Sequence, residues 1–200
     1  MKILFVNACP RGPVSRTLRL AETFLDAVTK AVPDAVIFRH DLPAMRLPCY
    51  DEELLARRER LCDQEAWDDP LLSVGADFHD ADAVVIAAPY WDLSFPSVLK
   101  VWVEHIWVRG LTFRYEADKP IGLCQGRESV YITTSGSPIG ENDWGTLYMK
   151  AVLTTLGIPG FTRISAEALD LDTTDAAAVM AETIEEIKTE AGRFAERMIK

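Results

Sequence analysis

Ala83-Val84-Val85-Ile86-Ala87-Ala88 runs straight into Pro89-Tyr90-Trp91-Asp92-Leu93-Ser94-Phe95-Pro96, and this junction decides the fold. Six apolar residues with no polar alternation are the pattern of a short strand buried on both faces, as in a parallel sheet. Outward from it, Lys2–Asn7 is a second such run, and Ala35–Arg39, Ser129–Thr134 and Phe161–Ala166 supply three more candidate strands. Between the first two, Leu18, Ala21, Phe24, Leu25 and Val28 recur at helical spacing until Pro33 stops them. Asp51 to about Asp80 reads as charged helix, interrupted near Asp69-Pro70 and weakened by Gly75. Ser97–Val108, Trp144–Leu156 and Thr174–Ile199 read as further helices. Strands alternating with helices predict an α/β fold, a doubly wound five-stranded parallel sheet with helices on both faces. With no repeat, low-complexity tract or linker, residues 1–200 are expected to form a single domain.

In such a sheet the ligand lies beyond the carboxyl ends of the strands, where strand order reverses. Three segments fall on that edge. Asn7–Thr17 brings Ser15 and Thr17 to a helix start, where hydroxyls and free N–H groups favour an anion and Arg11 and Arg16 could add charge. The same residues are also ordinary helix caps. Pro89–Phe95 holds two adjacent aromatic residues between prolines, suited to a flat ring or, equally, to capping the core. Thr133–Gly140 is small and polar, so its amides could approach a ligand edge, or it is simply a turn-rich loop. A phosphate carrying a planar ring system would use all three. Neither GxGxxG nor GxxxxGK[ST] is present.

A net charge of -10 argues against non-specific nucleic-acid binding and against docking on anionic membranes. No apolar run approaches transmembrane length, and the chain enters a strand pattern at Met1, so no signal peptide is expected. Cys9, Cys49, Cys62 and Cys124 form no CxxC pair, which disfavours a zinc site and suits a reduced, cytoplasmic protein. Val98, Leu99, Val101, Trp102, Val103, Ile106, Trp107 and Val108 make the Ser97–Val108 helix apolar nearly all round. Such a helix needs cover on both sides. A second subunit could provide it, giving a homodimer, or Leu42–Cys49 and Leu111–Tyr115 could fold over it.

Several segments resemble the FMN-dependent NADH azoreductases and related NAD(P)H quinone reductases. They are Ser15-Arg16-Thr17, Ala88-Pro89-Tyr90-Trp91-Asp92-Leu93, the Gly110-Leu111-Thr112-Phe113-Arg114-Tyr115 pattern and Ile132-Thr133-Thr134-Ser135-Gly136-Ser137. The resemblance implies a flavodoxin-like dimer binding FMN noncovalently (FAD stays open), with NADH or NADPH as donor and a quinone or azo compound as acceptor. It implies ping-pong hydride transfer through flavin N5, with no catalytic side chain and no metal. By position, Cys9, Ser15, Arg16 and Thr17 would surround the phosphate. Pro89, Tyr90, Trp91, Asp92 and Leu93 would flank the ring, and Thr134, Ser135, Gly136 and Ser137 its pyrimidine side. Cys9 stands where Ser is usual, Asp92 where Asn is usual, and Ser137 where Gly is usual. A carboxylate at Asp92 would disfavour an anionic reduced flavin.

Two rival readings remain. The first loop also resembles the phosphate loop of low molecular weight tyrosine phosphatases, with Cys9 as nucleophile and Asp69 as general acid. Six residues separate Cys9 from Arg16, one more than that signature allows. The other rival is an electron carrier or flavin-binding module whose acidic surface docks on a basic partner. His105 on the apolar helix reads as a satisfied buried histidine.

Overall fold

The computed structural model describes residues 1–199. Strands β1 (Lys2–Asn7), β2 (Val36–Asp41) and β3 (Ala83–Ala87) come first. A short hairpin follows, β4 (Phe113–Glu116) with β5 (Lys119–Gly122), then β6 (Glu128–Thr134) and β7 (Gly160–Ala166). The helices are α1 (Arg16–Ala31), α2 (Leu42–Met45), α3 (Glu52–Asp63), α4 (Ser73–His79), α5 (Ser97–Ile106), α6 (Trp144–Thr155) and α7 (Ala176–Ile199).

The main sheet has the order β2-β1-β3-β6-β7, and every neighbouring pair is parallel. The chain leaves β1 for β2 on one side and returns to β3 on the other. The reversal point therefore lies between β1 and β3, where a crevice opens beyond the strand ends. This is the doubly wound five-stranded sheet expected from the sequence, and both helical layers are present.

Alternation along each strand feeds two cores. Ile3, Phe5, Val85 and Ile132 pack beneath α1 and α7, where Phe24 and Phe194 meet edge to face at 5.4 Å. Leu4, Val6, Val84 and Ile86 pack beneath α4, α5 and α6 around the fully buried Trp102. Gly75 lies inside α4 because a Cβ there would collide with Val108. The glycine thus permits close helix packing instead of breaking the helix.

The apolar helix is covered by its own chain. Leu42 of α2, Val74 and Phe78 of α4, and Phe113 share the core with Leu99, Trp102, Val103 and Ile106 of α5. His105 is buried, donates from Nε2 to the Pro48 carbonyl at 2.9 Å and packs on Tyr50. Leu42–Cys49 and the hairpin side of the chain fold over much of α5, the intrachain cover that stood as the alternative to a second subunit, while Val98, Val101 and Trp107 stay half-buried. The hairpin itself and the four-residue α2 were not foreseen.

Candidate functional site

Eight residues of chain beyond β1 turn back into α1. Gly12, at φ +55°, allows the tight Gly12–Val14 turn, and Ser15 caps α1 by accepting the Leu18 N–H at 3.2 Å. Helix geometry leaves the N–H groups of Arg16 and Thr17 without intrahelical acceptors. Thr17 is fully buried, and its hydroxyl meets that of Thr134 at 2.6 Å. That bond ties the first loop to the end of β6. Beyond β3, the Tyr90 N–H donates to the Thr134 carbonyl at 2.9 Å, tying the second loop to the same residue.

These ties bring all three strand-end loops around one cleft of about 180 Å³. Cys9, Ser15, Arg16 and Thr17 line one end, Pro89, Tyr90 and Trp91 a second wall, and Thr134, Ser135 and Gly136 a third. Arg11 joins the first end and has no carboxylate partner among the described residues. The cleft therefore offers open N–H groups and a free guanidinium at one end, with aromatic faces at the other. Anion binding at a helix start beside a cation is electrostatically favourable.

The Flavodoxin-like fold family matches residues 1–191 of the sequence. The chain belongs to this flavodoxin-like family. Within it, the chain is 34% identical over 200 residues to FMN-dependent NADH:quinone oxidoreductase 2 of Clostridium acetobutylicum, covering 96% of this chain and 99% of that one. It is 32% identical over 204 residues to an FMN-dependent NADH:quinone oxidoreductase of Clostridium beijerinckii, covering 96% and 99% respectively. The crystal structure of an FMN-dependent NADH-azoreductase from Bacillus anthracis in complex with FMN superposes with a TM-score of 0.86 at 22% identity. That match covers 98% of this chain and 100% of the other, and at this identity it speaks for the fold alone.

Three residues expected at the site of this flavodoxin-like chain lie outside the cleft lining. Asp92 and Leu93 form the tip of a tight turn closed by reciprocal bonds between Trp91 and Ser94, at 3.2 and 2.7 Å. Both hold left-handed backbone, φ 51° and 65°, which suits Asp far better than Leu. Asp92 is exposed, so water screens its charge and the penalty expected at a ring in the cleft is small. Ser137 is exposed.

The sequence reading missed Asp170, which borders the cleft from the loop after β7 and pairs with Arg16 at 2.6 Å. The signal was available, since that loop leaves the same sheet edge as the other three. Arg16 lines the cleft, and its guanidinium is turned to Asp170 and to the Leu169 carbonyl.

The phosphatase alternative loses its chemistry. Burial pushes the Cys9 thiol up to about 11, against a weaker lowering by Ser15, whereas a nucleophilic cysteine needs a depressed value. Asp69 is held below the usual carboxylate range by the Leu71 N–H and by Arg57, the opposite direction from the raised value that suits a general acid.

Proposed function

We propose that this protein is an FMN-dependent oxidoreductase that takes two electrons from NADH and delivers them to a quinone or azo compound. The observation that carries this reading is the single cleft formed by three strand-end loops, anion-binding at one end and aromatic at the other. The names of the relatives agree with it in cofactor and donor. The residues present fit FMN. Open N–H groups at the start of α1, the Ser15 hydroxyl and the Arg11 guanidinium suit a phosphate. Gly136 keeps the third wall free of side-chain bulk, so that backbone can approach a polar ring edge.

FMN, when bound, supplies the two-electron chemistry. The chain's own part is binding and orientation. Ser15 and the first turn of α1 hold the phosphate, Pro89, Tyr90 and Trp91 support the ring, and Thr134, Ser135 and Gly136 meet its pyrimidine side. Asp92, Leu93 and Ser137 stay exposed outside the cleft lining, on the same loops that support the ring. No side chain in the cleft is required to move a proton. Donor and acceptor share one mouth and so bind in turn, which makes the kinetics ping-pong.

The reading extends to one flavodoxin-like unit over residues 1–200, working as a homodimer in the cytoplasm. Four cysteines without a disulfide suit a reducing compartment, and no helix among the described residues is long and apolar enough to cross a membrane. The test is direct. Purified protein is expected to be yellow, to release FMN on denaturation, and to oxidise NADH with menadione in a pattern of parallel double-reciprocal lines. Flavin content without NADH turnover would leave an electron carrier, and absence of any flavin binding would remove the proposal.

A further inference from the structure

Arg16 sits at the first position of α1, yet both of its terminal nitrogens are engaged across the cleft rim. Nη1 donates to the Leu169 carbonyl at 3.0 Å and Nη2 to Asp170 Oδ1 at 2.6 Å. The segment it grips is itself laid along the β6 loop. The Leu169 N–H donates to the Ser135 carbonyl and the Asp170 N–H to the Gly136 carbonyl, each at 3.0 Å, while the Ser135 N–H returns to Ala166 at 3.0 Å. Ala168 turns the chain with left-handed backbone at φ 61°, which aims Leu169 and Asp170 back at the loop. Gly136 lets the two meet closely, because a Cβ there would push the Asp170 carboxylate out of its present place.

We propose that Arg16 is a positioning residue, whose two-pronged grip on Leu169 and Asp170 fixes the Ser135–Gly136 wall of the cleft, and that it is not the charge partner of the phosphate. This rests on the FMN reading above. Three facts argue for it together. A planar guanidinium that satisfies two acceptors at once is geometrically specific, and turning those two N–H groups to a phosphate would break both bonds. Arg16 and Asp170 cancel in charge, which leaves Arg11 as the uncompensated cation lining that end. The pair is also open to solvent, with side chains 35% and 64% exposed, so its attraction alone adds little stability. What it contributes is geometry: it joins the start of α1 to the loops after β6 and β7.

The two roles for Arg16 give opposite results when flavins with and without a phosphate are compared. FMN and riboflavin are titrated into flavin-stripped wild type, Arg16→Met and Asp170→Asn, with melting temperatures recorded in parallel. For a positioning residue, Arg16→Met weakens both ligands by the same factor, about tenfold. Asp170→Asn also weakens both, by about threefold, because the grip loses its charged prong. Hydrogen exchange on the flavin-free proteins is expected to speed up at the Leu169 and Asp170 amides in both variants. If Arg16→Met weakens FMN alone, or Asp170→Asn tightens FMN by releasing the guanidinium, Arg16 is a phosphate ligand and the proposal fails. A lower melting temperature with unchanged affinities shows a merely structural pair and also overturns it. Wild type binding neither flavin sinks the FMN reading itself, whereas wild type binding both with unaltered exchange in the variants sinks only the grip.

Discussion

Cys9 forms part of the cleft floor with 1% of its surface exposed. Its N–H donates to Asn7 Oδ1 at 3.0 Å and its thiol to the Ala87 carbonyl at 3.5 Å. The thiol is held neutral by burial at about 11, as is that of Cys124 at about 12, and Cys62 is raised for the same reason. Only Cys49 is exposed. Iodoacetamide at pH 8 followed by peptide mass spectrometry is therefore expected to label Cys49 quickly and the other three slowly. Rapid labelling at Cys9 would contradict the neutral thiol and reopen the phosphatase reading. The position of Cys9 at a strand end was legible in the sequence. Its ionisation was not, because it depends first on the strands that bury it and then on Ser15 and the distant Asp41. Asp170 was hidden for a similar reason, since its partner Arg16 is 154 residues distant.

The segment between β6 and α6 is held at its two ends by one side chain of β7. Arg163 reaches Asp143 Oδ2 and Glu167 Oε1, both at 2.8 Å, and the Ser165 hydroxyl at 2.6 Å. Asp143 in turn caps α6 by accepting the Thr146 N–H at 3.0 Å, and Glu167 Oε2 accepts the Ile139 N–H at 2.9 Å. Burial alone would raise the Glu167 carboxyl. The Ile139 N–H, Arg163 and Ser165 outweigh it and hold the group below its ordinary value of 4.5. A carboxyl depressed in the folded state stabilises the fold above the unfolded value, and that contribution is lost as pH falls through the folded one. Glu167→Gln is accordingly expected to be less stable than wild type by about 1–2 kcal/mol near neutral pH, with the gap closing below pH 4.5. Denaturant titrations from pH 7 to 3 check this, and a gap independent of pH would refute it. Elements of this kind were read unevenly. The long helices and buried strands declared themselves by periodicity. The β4–β5 hairpin did not, because its turn runs through Ala117 at φ 54° and lacks the Asn-Gly or Asp-Gly that marks such turns.

The molecule as a whole presents an acidic surface of net charge -10 with a concentration of exposed apolar side chains beside the cleft. Trp91 and Leu93 at one loop tip and Trp144 and Leu147 on α6 are exposed. The two groups adjoin, since Gly145 packs against the Ser94 backbone and the Tyr90 hydroxyl donates to the Asn142 carbonyl at 3.0 Å. With much of α5 covered from within, these exposed residues add to the case for the proposed homodimer. Sedimentation velocity at micromolar concentration is expected to show a species of twice the chain mass, displaced towards the monomer by Leu147→Glu. A monomer at every concentration would end that expectation. The Thr17–Thr134 bond has a further consequence. It pins the base of the cleft where three segments meet, while Val14 and Trp91 are exposed at the lip. For the proposed oxidoreductase this means an open doorway above a fixed seat, so that guests of differing outline would meet a tenant whose alignment does not change with them.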